Sequence, residues 1–538
     1  MDDAVVIGAG PNGLVAANHL AAAGWSVTVL EAADEPGGAV RSGELTLPGF
    51  RHDLCSAFYP LAVVSPAIVA LRLEDHGLRW RRAPLVLANP LSDGRCVSLS
   101  CDVGATAASV EQFAGGDGAA WRLMIEEWRR IAAPLLAAVF GPFPPVRAAG
   151  RLVATLGPRG ALGLARQLLL PVRRMAEERF GGEGAALLLA GCGLHTDLAP
   201  ETAGSGAFGW LLCCLGQEHG FPVPEGGAGA LTAALARRLE AYGGELRCGS
   251  PVREVVVRGG RAVGVRTADG RLVGARRAVL ADVAAPALFG RLVAPRHLPE
   301  SVLDDVGRFE WDMSTVKVDW ALDAPVPWTA EDARRAGTVH VADDVANLTE
   351  FSAHLAIGHL PARPFLLFGQ QSVSDPTRSP TGTETAWAYT HVPRQVRGDA
   401  TGELSVDDSE ASWLEGFVAR VEERVEERAP GFRSRILGRH VLGPSGLEAL
   451  DANLVGGAIN GGTAQLHQQL LFRPLPGTGR PETPIAGLYL ASASAHPGGG
   501  VHGACGANAA RAALRAGGRL RSVVFGRAPL WPGATSRR

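Results

Sequence analysis

The stretch that decides the fold reads Ala4-Val5-Val6-Ile7-Gly8-Ala9-Gly10-Pro11-Asn12-Gly13-Leu14-Val15. A short apolar run enters a glycine-rich turn, and a helical pattern follows through Ala17 and Leu20. A second apolar run at 26–30 ends at Glu31, with Gly37-Gly38 and Arg41 soon after. Strand, glycine turn, helix, strand and acid in this order make a dinucleotide-binding βαβ unit. Gly8 permits the tight turn out of the strand, Gly10 lets the backbone approach a pyrophosphate, and Gly13 lets the helix pack close to the sheet. The helix N-terminus offers N–H groups and a positive dipole end to the diphosphate. A carboxylate at Glu31 accepts hydrogen bonds from ribose hydroxyls and repels a 2′-phosphate. The competing reading, a glycine turn without a ligand, weakens once all these parts stand in register.

The chain has 538 residues, enough for roughly two to four structural units. Its 46% hydrophobic and 20% charged residues are those of a soluble globular protein. A formal net charge of −2 offers no basic field to nucleic acid. Lys317 is the only lysine, nearly all other cationic charge being arginine. Coding bias explains that, yet it excludes a P-loop lysine and leaves one candidate for lysine chemistry.

The eight cysteines form no CxxC pair and no zinc-like cluster, so no metal site is predicted. Cys96 and Cys101 share the CxxxxC spacing of flavin disulfide reductases, but they lie away from the segment that follows the βαβ unit. Free thiols are the favoured reading. Met1-Asp2-Asp3 is acidic and runs straight into the first strand, unlike a signal peptide. The longest apolar stretch, 207–215, is too short to span a bilayer. A reducing, cytoplasmic location is expected.

Three segments read as pieces of one nucleotide-binding domain: 1–75, 224–290 and 441–525. In the second, Pro224 to Gly229 leads into a helix, and strands follow around the turns Gly259-Gly260 and Asp269-Gly270, which are hairpin signals. The third runs from Leu488-Tyr489-Leu490 through Pro497-Gly498-Gly499-Gly500 into a small-residue helix. Two insertions, 76–223 and 291–440, make a substrate or cap domain, and 526–538 reads as a loosely ordered tail. The first insertion is mostly helical. Its basic amphipathic stretch at 160–180, interrupted by Pro171, suits either a solvated helix face or peripheral contact with an anionic membrane. The second insertion alternates at 315–320 like a half-buried strand, has an apolar strand at 365–368, and carries a helix at 409–428. The expected fold is α/β: a discontinuous Rossmann-like domain with an α+β substrate domain formed by the two insertions.

The C-terminal run Gly487-Leu488-Tyr489-Leu490-Ala491-Ser492-Ala493-Ser494-Ala495-His496-Pro497-Gly498-Gly499-Gly500-Val501-His502-Gly503 adds a second signature. Upstream stand Asn453 to Gly462 and Phe472-Arg473-Pro474. Together with the N-terminal unit, these closely resemble the phytoene desaturase-like flavoproteins, which include carotenoid desaturases and isomerases and retinol saturases. The resemblance implies FAD as cofactor and says nothing specific about substrate. It places the diphosphate at Gly8, Gly10, Pro11, Asn12 and Gly13, and the ribose at Glu31-Ala32. It places Gly37, Gly38, Ala39 and Arg41 along the diphosphate and ribityl side, and Val252 against the adenine through its backbone. It puts Gly499, Gly500 and Val501 at the N-terminus of the last helix, near the flavin pyrimidine edge, where a positive dipole end stabilises reduced flavin. Related flavoproteins often carry Gly-Asp or Gly-Glu after the LYL-type strand. Here Ala491-Ser492-Ala493-Ser494 stand instead, so Ser492, Ser494 or backbone must hold the ribityl chain.

Only one dinucleotide fingerprint is present, so no separate nicotinamide domain is expected, and electrons pass from flavin to oxygen, a quinone or a similar direct acceptor. His496 and His502 flank the glycine turn and are catalytic candidates, with helix capping as the plainer alternative. Lys317 is a third, because a lysine reaches the flavin in some amine oxidases; a strand-face salt bridge is its alternative. His195, Tyr389 and His391 are further candidates for the cavity wall, and 56–58 for the flank of the flavin ring. The leading expectation is an FAD-dependent oxidoreductase that desaturates, saturates or isomerises carbon–carbon bonds of a small apolar, polyene or lipid-like substrate. An amine or amino-acid oxidase and a non-catalytic flavin-binding scaffold are the alternatives. Acceptor, reaction direction and oligomeric state stay open at this level.

Overall fold

The computed structural model describes residues 1–407 and 409–516; the expected tail at 526–538 lies outside them. Strand Asp2–Ile7 sits inside a mostly parallel sheet, between Leu272–Ala281 on one side and Val27–Leu30 on the other. Glu245–Arg247 extends the sheet beyond Val27–Leu30, and Leu488–Leu490 pairs in parallel with Leu272–Ala281. Strands Val252–Arg258 and Arg261–Thr267 add the antiparallel hairpins predicted from the glycine turns. This sheet therefore draws on three separated stretches of chain. Helix Pro11–Ala22 starts with proline at its first position and packs under the sheet. Helix Gly229–Ala241 lies beside it, with Asn18 donating across to the Leu235 carbonyl at 3.0 Å. No further Rossmann-type glycine turn opens from 224–229.

A second seven-stranded sheet is built mainly from the second insertion. Strand Ser314–Leu322 stands next to the edge strand Ile436–Leu442 and pairs with Glu384–Val392 on its inner side. Sequence alternation reads this strand as half-buried, whereas every residue of it is buried. Val316, Val318 and Trp320 face helix Glu410–Glu426 through Trp413, Phe417 and Val421. Thr315, Lys317 and Asp319 alternate with them and are covered as well. The first insertion contributes two strands to this sheet, Leu85–Pro90 and Cys96–Leu99, besides its helices. The expected boundary at 440/441 falls inside strand Ile436–Leu442.

The remaining helices of the first insertion form a layer around Trp121, Trp128 and Trp210. The 160–180 stretch resolves into Val146–Leu169, kinked at Gly157, and Val172–Arg179, parted at Pro171 as its sequence predicts. Only Ala148 is buried in the longer helix, and Leu162 is 73% exposed. Among the described residues no helix is long and apolar enough to cross a membrane. All eight cysteines are free thiols.

Candidate functional site

Gly8 turns the chain at φ +89°, and its N–H donates to the Leu30 carbonyl at 2.8 Å. A Cβ on Gly8 or on Gly10 would stand 2.7 Å from Asp282 oxygens. A Cβ on Gly13 would overlap the Gly8 carbonyl oxygen outright. These glycines are thus required by close approach, but the approaching group is one that sequence reading missed. Asp282 follows strand Leu272–Ala281, whose last four residues are buried, its N–H donates to the Ile7 carbonyl at 2.7 Å, and its Oδ2 accepts from the Gly13 N–H at 2.7 Å. Of the N–H groups at the start of helix Pro11–Ala22, that of Gly13 is therefore capped by a carboxyl. Burial pushes the Asp282 carboxyl up to about 8; the Gly13 hydrogen bond opposes the rise, and Asp451 and Glu31 add to it. Its only sequence signal was an acid directly after a strand with a buried end.

Glu31 ends the strand on the opposite side of Asp2–Ile7. Its Oε2 accepts from the Ala9 N–H at 2.7 Å and its Oε1 from the Ala33 N–H at 2.9 Å, which pins the glycine turn to the segment around exposed Ala32. The Gly249 and Ser250 N–H groups donate to the Ala33 and Glu31 carbonyls, so the chain leading to Val252 runs alongside. Gly37 donates to the Ala9 carbonyl at 2.9 Å, and a Cβ on Gly38 would come 3.5 Å from Gly10 Cα. Ala39 lines the main cavity together with Gly10, Pro11 and Asn12. Arg41 is tied to backbone instead, donating to the carbonyls of Gly38 and Leu450.

Ser492, Gly499, Gly500 and Val501 face the same cavity from the C-terminal side. Ser494 Oγ donates to the Gly461 carbonyl at 3.1 Å and accepts from the Ala285 N–H at 3.2 Å, so it braces the loop. His502 is 2% exposed and both ring nitrogens are engaged. Nδ1 accepts from the Ala504 N–H at 3.0 Å, which assigns the ring proton to Nε2, 3.2 Å from the Gly498 carbonyl. That is a cap on helix Ala504–Ala516, and it leaves no nitrogen free for proton transfer. His496 does not line the cavity; its ring packs edge-on against Phe143 with centroids 5.6 Å apart. Burial lowers both histidines to about 4.

The cavity holds about 400 Å³ and continues from the glycine turns into a chamber between the two sheets and the helical layer. Cys55, Ser56, Ala57 and Phe58 form one flank. Phe140, Phe208, Leu211, Leu212 and Phe221 form an apolar wall. Opposite stand Leu367 and Trp387, with Tyr389 stacked parallel to Trp387 at 6.0 Å. Lys317, 2% exposed, reaches this wall, with Nζ 2.5 Å from both Asp319 carboxylate oxygens and 5.9 Å from the Trp387 ring centre. Burial pushes Asp319 up, but Lys317, His440 and His52 outweigh it, and the carboxyl ends well below its usual range. His195 lines the chamber, whereas His391 does not and sits behind Tyr389.

Residues 3–332 match the FAD dependent oxidoreductase family. A rat protein named pyridine nucleotide-disulfide oxidoreductase domain-containing protein 2 is 30% identical, covering 95% of this chain and 93% of its own length. A neurosporene-forming phytoene desaturase of Rhodobacter capsulatus is 27% identical over 93% of this chain and 91% of its own. Among solved structures, an oxidoreductase of Methanosarcina mazei superposes with a TM-score of 0.62 at 18% identity, covering 95% of this chain and 99% of its own. The chain belongs to the FAD dependent oxidoreductase family, with a Rossmann-like FAD-binding fold, and is an enzyme.

Proposed function

We propose that the chamber oxidises, reduces or isomerises carbon–carbon bonds of an apolar substrate. The observation that carries this reading is the wall of Phe140, Phe208, Leu211, Leu212 and Phe221, which offers contact area and few hydrogen bonds. Desaturase names among the relatives support the same class. FAD, when bound, accepts the hydride that such chemistry removes from carbon. The segments 1–75, 224–290 and 441 onward form its domain in this proposal. Gly8, Gly10, Pro11, Asn12 and Gly13 cradle the diphosphate, Glu31-Ala32 the ribose, and Val252 the adenine. Gly37, Gly38, Ala39, Arg41 and Ser492 follow the chain toward the flavin, and Gly499, Gly500 and Val501 meet its pyrimidine edge. The cavity that opens beside Gly10, Pro11 and Asn12 and the unpartnered side-chain atoms Asn12 Oδ1 and Asn460 Nδ2 fit such a ligand. The aromatic walls exclude water from the reacting carbon, and a direct acceptor, oxygen or a quinone, takes the electrons.

Gln469 lines the cavity, and Leu470, Leu471 and Phe472 directly after it are exposed. Peripheral contact of this lip with lipid would let an apolar substrate enter without crossing water. Lys317 in the wall favours a second reading, amine oxidation. Anaerobic mixing of FAD-loaded protein with polyenes and with amines, followed at the flavin band, separates the two. Bleaching by polyenes and not by amines is expected; bleaching by amines alone overturns the proposal.

A further inference from the structure

His195 lines the chamber beside Phe221 of its apolar wall, and a second imidazole stands behind it. His195 Nε2 lies 2.9 Å from His340 Nε2. His340 belongs to strand Ala336–Val341, is 0% exposed, and packs its ring against Phe365 at 5.2 Å. This arrangement is costly to the fold in two ways. His340 Nδ1 is buried without a partner, and an orphaned buried polar atom is destabilising. Helix Glu183–Gly193 passes so close that a Cβ on Gly191 would overlap the His340 ring, and glycine inside a helix is destabilising relative to alanine. A phenylalanine at position 340 would fill an oil-binding wall without the orphaned nitrogen.

The pair also fixes its own protons. Burial lowers the pKa of His195 to about 3, and burial lowers that of His340 well below the ordinary value, so both rings are neutral. One proton therefore lies between the two Nε2 atoms. An orphaned donor is rarer in buried sites than an orphaned acceptor, so the lone Nδ1 of His340 is the bare one. His340 then donates through Nε2–H, and His195 carries its proton on Nδ1.

We propose that His195 Nδ1–H is a substrate anchor that donates to an acceptor oxygen, so the preferred substrate is an apolar molecule carrying a carbonyl or hydroxyl oxygen rather than a plain hydrocarbon. His340 is a positioning residue that holds the tautomer. The inference rests on the chamber being the substrate site, as proposed above. It is tested by binding, not turnover. β-Ionone, a conjugated ketone, and the hydrocarbon of the same carbon skeleton are titrated into FAD-loaded protein, with quenching of tryptophan fluorescence as the readout. The wild type should prefer the ketone by about ten-fold, the worth of one good hydrogen bond. His195→Leu should bring the ratio near one by weakening the ketone alone, and His340→Phe should lower it in part. The wild-type ratio needs no variant to fold. A ratio near one in the wild type, or a ratio that survives His195→Leu, overturns the anchor while flavin bleaching by apolar compounds still stands. Absence of both ligands from the chamber overturns the anchor too, and loss of bleaching in the same preparation extends that failure to the proposed function.

Discussion

Replacing Lys317 with methionine removes the ammonium that bonds both Asp319 carboxylate oxygens, in the middle of a fully buried strand. Breaking one side of a buried pair leaves the other charge uncompensated, which costs ~3–5 kcal/mol. His52 Nδ1 at 3.4 Å and His440 Nδ1 at 4.0 Å still face the carboxylate, which places the expected loss at the lower end, about 3 kcal/mol. Removing the acid as well should restore most of this, so Lys317→Met with Asp319→Leu is expected within ~1 kcal/mol of the wild type. The pH dependence has a definite sign. In the wild type the Asp319 pKa is depressed, so its stabilisation is present above the unfolded value of about 4 and fades as pH falls through the folded value. In Lys317→Met burial acts unopposed by the ammonium, the folded pKa rises, and the penalty is present above about pH 4 and relieved below it. Urea unfolding followed by tryptophan fluorescence at neutral and at acidic pH, with FAD saturating, measures both. A loss under ~1 kcal/mol at neutral pH, or a deficit that grows as pH falls, would refute the reasoning.

Gly13→Ala should fold yet purify with little flavin, because a Cβ there overlaps the Gly8 carbonyl and opens the turn; absorbance at the flavin band per protein measures it, and full occupancy contradicts the account. His502→Leu removes the acceptor for Ala504 N–H and the donor to Gly498, so a stability loss of ~1–3 kcal/mol is expected, with flavin reduction by substrate retained per bound FAD. Asp282→Asn keeps an acceptor for Gly13 N–H but does not titrate. The wild-type carboxyl, raised to about 8, contributes stability below its unfolded value of about 4 that is lost as pH rises to about 8. The variant should therefore gain on the wild type by roughly 2 kcal/mol or more between pH 5 and 8, and parallel stability curves would count against the shift.

Elements whose signal is local were legible. The glycine turn, the hairpins at Gly259-Gly260 and Asp269-Gly270, and the break at Pro171 each follow from a backbone preference carried by one or two residues. Strands Leu85–Pro90 and Cys96–Leu99 were read as part of a mostly helical insertion. Their partner Ala336–Val341 lies far along the chain, and periodicity within a segment carries no register with a distant one. The alternation at 315–320 correctly separated two faces but not their exposure. A polar face that meets Asp319, His52 and a chamber is covered by tertiary neighbours no window contains.

The same limit explains the site. Glu31 and Asp282 are alike in sequence, each an acid closing a strand with a buried end, and only Glu31 was singled out because it follows the glycine turn at the spacing a βαβ unit demands. In the sheet, Val27–Leu30 and Leu272–Ala281 flank Asp2–Ile7 on its two sides. The two acids therefore arrive on either side of one turn, one bonded to the Ala9 N–H and the other to the Gly13 N–H. The carboxyl that approaches them explains the glycines in the structure, and the cofactor proposed to lie there would ask for the same. Gly13 serves the helix–strand packing and the Asp282 contact with the same missing Cβ. For that reason Gly13→Ala and Asp282→Ala should affect FAD retention together rather than additively, since both act through the position of one N–H group.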